Sequence, residues 1–402
     1  VAGLSLSLLV VVGLVAWRVV DDRPYVARPP QSRGVQAQPA LAAQTLGRLQ
    51  EAVDRRDPAA ARALAPSGDD AAADLLAGIV TNAEALHLRD FTVRYVDEES
   101  AVSDAGAWTA SVDVTWAFGG FDTAPADTEV LFHFVAGDGA VGLTGVGGGD
   151  DRSPLWLSGP LQVRRTPTTL VLVDGSRGTA DGYARRADAA VPVVRRVVTD
   201  WRPRLVVEVP RTGAGLDRVL DAEPEQYANI AAVTTTADGS LAPDAPVHVF
   251  VNPDVFAQLQ PEGAQVVMSH EATHVATDAA LSSMPLWLLE GFADYVALRD
   301  VRLPIGTTAG QIIRQVRRDG PPGHLPGAAE FDTTTTHLGA SYEAAWIACR
   351  VLADRGGERA LVRLYDRVDD GTPLGRALET GFGLSVRSFT RAWQDRLSDL
   401  AA

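Results

Sequence analysis

"VVMSHEATHVATD", residues 266–278, sets two histidines four positions apart with a glutamate directly after the first. On a helix, His270 and His274 lie one turn apart on one face. Pro261 suits the first helical position and Glu262 the positive end of the dipole, so the sequence predicts one helix over 261–279. Two neutral imidazoles at that spacing can both reach one ion at about 2.0–2.1 Å. Glu271 is rotated off the ligand direction, where it meets a water beside the metal without ligating. That is the placement a general base of metal-assisted hydrolysis needs. The alternative is an ordinary helix carrying H-E-x-x-H by chance. The chain holds only seven His, which makes a chance match rare. Val266, Val267 and Val275 mark a buried helix, where two His and a Glu without a metal or partners are costly.

A three-ligand site needs one more group. "SSMPLWLLEGFADYVALRD", 282–300, offers it. Ser283 is a candidate cap, Pro285 a helix start, and Leu286, Leu289, Phe292 and Val296 an apolar stripe. Glu290 stands among these apolar residues, and a carboxylate there wants a cation. Gly291 permits close approach of another backbone. Asp294 is one turn beyond Glu290 on the same face. It is placed to accept from the non-ligating nitrogen of His270, fixing tautomer and ring plane. Solvated helix carboxylates are the alternative for Glu290 and Asp294, against which the apolar flank argues.

"HEATH" followed by "LWLLEGFADY" resembles the gluzincin metallopeptidases, in particular the peptidase MA-like group related to the catalytic domain of M1 aminopeptidases. The resemblance covers roughly 160–402. It implies Zn2+ held by His270, His274 and Glu290, with Glu271 as the catalytic base; Gly291 and Asp294 also match the family pattern. The gap from His274 to Glu290 is slightly shorter than in the family. The family further uses a tyrosine at the start of a later helix to stabilise an oxyanion. Tyr342, in "GASYEAAWIACRVLADRGGERALVRLY" (339–365), fits that place, and a neutral phenol is a reasonable donor. His337, in "DTTTTHLGA", is the rival donor, and a tyrosine merely packed at a helix start is the bland reading. The tail "ALETGFGLSVRSFTRAWQDRL" (377–397) resembles the family's closing helices, ending on a Trp that packs. The Gly-x-Met-Glu-Asn stretch that holds a free amine in M1 aminopeptidases is missing, which favours an endopeptidase or a narrow-specificity peptidase. "NIAAVTTT" (229–236) is the strand that could pair with an extended substrate.

The other 402-residue features bound this reading. A net charge of −15 speaks against a nucleic-acid partner, which wants a basic stripe. The basic residues are all Arg, with heavy Ala and Gly use, as in a GC-rich bacterial coding sequence. The single Cys349 allows neither an intramolecular disulfide nor a cysteine-based metal cluster. His133, His248 and His324 read as structural.

"VAGLSLSLLVVVGLVAWRVV", 1–20, carries no charge before Arg18 and has the length of a bilayer span. Trp17 and Arg18 suit an interfacial anchor. A cleaved signal peptide and a buried helix are the alternatives. Residues 21–40, rich in Pro, Gln and Arg, read as an extended linker. Helical spacing follows in 41–65 and around 70–87, with Asp57 as an N-cap before Pro58. Four runs then alternate with period two: 91–98, 107–118, 128–137 and 140–148. Helices followed by strands resemble an NTF2-like domain over 41–155, closed by the turn-rich "GGGDDRSPLW" (147–156).

The expected fold class is therefore α+β: an N-terminal transmembrane helix, an NTF2-like domain, and a gluzincin domain with a small mixed sheet and a helical C-terminal half. The expected activity is a single-pass, membrane-anchored, extracytoplasmic zinc peptidase acting on a peptide or protein substrate. A weakly active or non-catalytic scaffold of the same fold is the alternative.

Overall fold

The computed structural model describes residues 36–137, 139–149, 151–332 and 335–402. The chain enters through α1 (Pro39–Arg55), whose Ala42, Leu46, Leu49 and Val53 turn one buried face inward. The short α2 (Pro58–Arg62) starts where the Asp57 carboxylate accepts from the amide of Ala60 at 3.0 Å. In α3 (Asp70–Leu86) Asp69 caps the amide of Ala72 at 3.0 Å in the same way. Both caps satisfy a helix-end N–H that would otherwise lack a partner. Then come β1 (Leu88–Glu98), β2 (Ala107–Phe118), β3 (Ala126–Ala136) and β4 (Val141–Val146), an antiparallel meander in sequential order. Trp108, Trp116, Phe132 and Phe134 fill its covered side.

A second sheet follows. Its elements are β5 (Gln162–Arg165), β6 (Thr169–Val173), α4 (Arg177–Arg195), β7 (Leu205–Val209), α5 (Gly213–Leu220), β8 (Ala232–Thr236) and β9 (Val247–Val251). The strand order is β5-β6-β7-β9-β8. The pairs β6–β7 and β7–β9 are parallel, and the two outer strands run antiparallel. Every residue of β6 and β7 is buried, as parallel strands covered on both faces require. Side chains of one parity, Val171, Val173, Val207, Val209, Val249 and Val251, join the core of the helical half. Those of the other, Leu170, Leu172, Val206 and Phe250, join the core of the meander. The second sheet is thus a central layer with a core on each face.

The remainder is helical: α6 (Pro253–Phe256), α7 (Pro261–Ala276), α8 (Leu286–Leu298), α9 (Ile305–Thr308), α10 (Gly310–Asp319), α11 (Leu338–Gly356), α12 (Glu358–Asp369), α13 (Leu374–Phe382) and α14 (Val386–Ala401). Helices α8 and α11 touch backbone to backbone at Gly291, where an added Cβ would stand 2.3 Å from the Ala345 carbonyl oxygen. Any side chain there would push α11 away.

Two expectations are corrected. Among the described residues no helix is long and apolar enough to cross a membrane. The transmembrane helix expected over 1–20 lies outside the described residues, as does most of the linker, and α1 already starts at Pro39. The single-pass membrane placement is corrected with it. The class is also mixed α/β and not α+β. The unit β6–α4–β7 is a parallel crossover, for which the unbroken apolar runs "TLVLV" and "LVV" are the local cause. The stretch 339–365 spans two helices. Gly357, at φ 83°, ends α11 and starts α12, a conformation open mainly to glycine.

Candidate metal centre

Helix α7 carries His270, Glu271 and His274, all buried at 7–8% exposure. Pro261 opens it and Glu262 lies in its first turn. Helix α8, starting after Pro285, carries Glu290 and Asp294. The two helices bring three ligand atoms to one point. His270 Nε2 and His274 Nε2 are 2.9 Å apart, and Glu290 Oε2 is 3.1 Å from the first and 3.2 Å from the second. A tetrahedral ion with bonds of about 2.0–2.1 Å spaces its ligand atoms by roughly 3.3–3.4 Å. The observed triangle is a few tenths of an ångström inside that. His270, His274 and Glu290 are also the group of His, Cys, Asp and Glu side chains among the described residues that converges closely enough for one metal.

The chemistry of the donors fits zinc. Asp294 Oδ1 lies 2.8 Å from His270 Nδ1, so that nitrogen donates its proton and Nε2 presents a lone pair. Three Lewis bases facing one point repel unless a cation or a proton sits among them. Burial alone would lower the His270 pKa. The charge and hydrogen bond of Asp294, then Glu290 and Glu271, overcome it and hold it well above the ordinary imidazole value. For Glu290, burial would raise the pKa, but His274 and His270 hold it far below the usual carboxylate range. Both directions fit a group that favours positive charge at its centre. One polar atom of the group has no partner among the described residues: His274 Nδ1 is buried without a hydrogen bond.

Of the three, His270 reaches the wall of a cleft of about 690 Å³. His270, Glu271, Asp294 and Tyr342 line it, with Asn229–Ala232 along one side and Gln311 and Gly339 along another. Tyr342, near the start of α11, packs its ring edge-on against His270 with centroids 5.9 Å apart. Burial, then Glu290, Glu271 and Asp294, push its phenol well above 10. It stays neutral and able to donate. The rival His337 does not line the cleft; it is exposed at the residue before α11. Trp393 of α14 anchors α11 from behind, its indole N–H donating to the Ala344 carbonyl at 2.9 Å.

Strand β8 passes beside α7. It is the last strand of its sheet. The Ala231 carbonyl accepts from Asn252 and the Ala237 amide donates to Pro246. Odd-numbered residues therefore face β9, and alternation turns the main-chain N–H and C=O of Ala232 and Thr234 to the open edge. The hydroxyl of Thr234 lies 2.7 Å from Glu271 Oε2. Sequence reasoning marked this strand but not Thr234, and period-two spacing from the buried Ala232 and Thr236 is the signal that places its side chain toward α7.

Three other histidines lie away from the cleft. His133 Nε2 is 2.9 Å from the Gly147 carbonyl. His248 is buried between Glu208, 2.7 Å from Nδ1, and Asp122, 3.0 Å from Nε2. His324 is exposed, with Nδ1 3.0 Å from the Leu325 carbonyl. No family model matches the chain, and no curated protein matches it.

Proposed function

We propose that this protein is a zinc-dependent peptidase, with His270, His274 and Glu290 holding the ion. The observation that carries the reading is the convergence of those three ligand atoms beside a buried Glu271, which lines a cleft that also reaches Ala232 at the start of the edge strand β8. Bound zinc would polarise the scissile carbonyl and lower the pKa of water toward neutrality. Glu271 takes the proton of the attacking water and passes it to the leaving amine. Tyr342 donates to the oxyanion as it forms. Asp294 holds His270 in the ligating tautomer. An extended substrate pairs its backbone with Ala232 and Thr234, lying as an added strand along β8.

The lining favours internal cleavage. It contains no Arg to hold a C-terminal carboxylate. Both carboxylates in it already have a role in the proposed chemistry, Glu271 as the base and Asp294 as the acceptor from His270.

The test is metal analysis of the purified chain followed by cleavage of a peptide library, with Glu271→Gln alongside. One zinc per chain, cleavage by the wild type, and zinc-loaded but inactive Glu271→Gln are expected. A chain that takes up no zinc, or cleavage unaffected by Glu271→Gln, refutes the reading. Zinc without any cleavage favours a scaffold of the same fold.

A further inference from the structure

The structure assigns Thr234 a role beyond its place in β8: it is a positioning residue for Glu271, tying the substrate-pairing edge to the base. This rests on the peptidase reading above. The hydroxyl of Thr234 is 2.7 Å from Glu271 Oε2 and 3.3 Å from the Glu271 carbonyl oxygen. It has one proton to donate, and the shorter, charge-assisted contact takes it. Among the described residues no other side chain donates to that carboxylate, although the residue is only 7% exposed.

A glutamate on a helix turns freely about its side-chain bonds unless something holds one oxygen. Thr234 holds Oε2 and leaves the other oxygen free for the cleft that Glu271 lines. Thr234 is itself stiff, being β-branched in a strand. Its main-chain N–H and C=O face the open edge, where an extended peptide would pair. One residue therefore meets the substrate with its backbone and the base with its side chain. A peptide that pairs along β8 also restrains the hydroxyl that aims Glu271, so pairing in register and base orientation are coupled.

Thr234→Val removes the hydroxyl and nearly keeps the shape; Thr234→Ser keeps the hydroxyl. On a cleaved library peptide, Thr234→Val should lower kcat by about 10- to 100-fold, the usual cost of losing a group that orients a reacting one. KM and zinc content should stay near wild type, and Thr234→Ser should recover most of kcat. A second measurement needs neither metal nor turnover: Tm of the EDTA-treated full chain for Thr234→Val, Glu271→Ala and the double variant. The two Tm changes should fail to add. Wild-type kcat in Thr234→Val, equal impairment in Val and Ser, or strictly additive Tm changes would each overturn the assignment. A wild-type chain that cleaves nothing overturns the peptidase reading and this role with it. A wild type that cleaves while Thr234→Val matches it overturns the role alone.

Discussion

Replacing His248 by Gln should abolish a pH dependence of stability that belongs to one buried cluster. His248 is 1% exposed in β9, stacked on Phe118 with ring centroids 5.3 Å apart. Each ring nitrogen faces a carboxylate, Glu208 at 2.7 Å and Asp122 at 3.0 Å. Asp122 is fixed in turn by the Phe118 amide at 2.6 Å. Burial pulls the imidazolium pKa down, but Asp122 and then Glu208 reverse that and hold it at about 10, against an ordinary 6.5. A folded-state pKa raised in this way stabilises the fold fully below pH 6.5 and progressively less as pH climbs toward 10. At about 1.4 kcal/mol per unit, the whole window is worth on the order of 4–5 kcal/mol. Urea denaturation of the EDTA-treated full chain, stepped through that window, reads it directly. The stability gap between wild type and His248→Gln should be widest at pH 6.5 and shrink by about 1.4 kcal/mol per unit above it. EDTA removes the separate pH dependence of metal uptake. A gap that stays constant from pH 6.5 to 10 would refute a charged His248 and leave the cluster as neutral packing.

Three further outcomes follow from the same geometry. Asp294→Asn should weaken zinc binding by about 10- to 100-fold, read by competition with a chromophoric chelator, because His270 loses the acceptor that fixes its tautomer. Tyr342→Phe should cut kcat by roughly a hundredfold with zinc content and KM little changed, the loss expected of one oxyanion donor; an equal rise in KM would make it a packing residue. A chain trimmed to 160–402 should show no cooperative urea transition, since Leu170, Leu172, Val206 and Phe250 would lose the core they share with the meander.

What the sequence makes legible is the part of the site written in local spacing. His270 and His274 are one turn apart, and Glu290 and Asp294 repeat that interval on the next helix. Helical period alone puts each pair on one face, and the apolar neighbours say that the face is buried. Thr234 and Tyr342 depend on how distant elements pack. Tyr342 reaches His270 because Gly291 lets α11 lie against α8 at the Ala345 carbonyl. The glycine was visible, but not which helix would come to it. Thr234 meets Glu271 across 37 positions of sequence, through the pairing of β8 with β9 and of β9 with β7. No periodicity encodes that register. The class error has the same origin: short apolar runs such as 169–173 do not reveal whether a neighbouring strand is parallel or antiparallel.

The place of residues 41–155 follows from the two-faced central sheet. Thr235 pairs with His248 across β8 and β9, so the two side chains share a face, and it is the face of Asp122 and the meander. Thr234, one residue earlier, points to the opposite face, where α7 carries Glu271. One strand step therefore separates the buried charge cluster from the base. Parallel strands need cover on both faces; the helical half supplies one cover and the meander the other. The meander never approaches the ligands, yet it holds the back of the strand whose front aims Glu271. It shares a core with the sheet instead of hanging from it as a separate module.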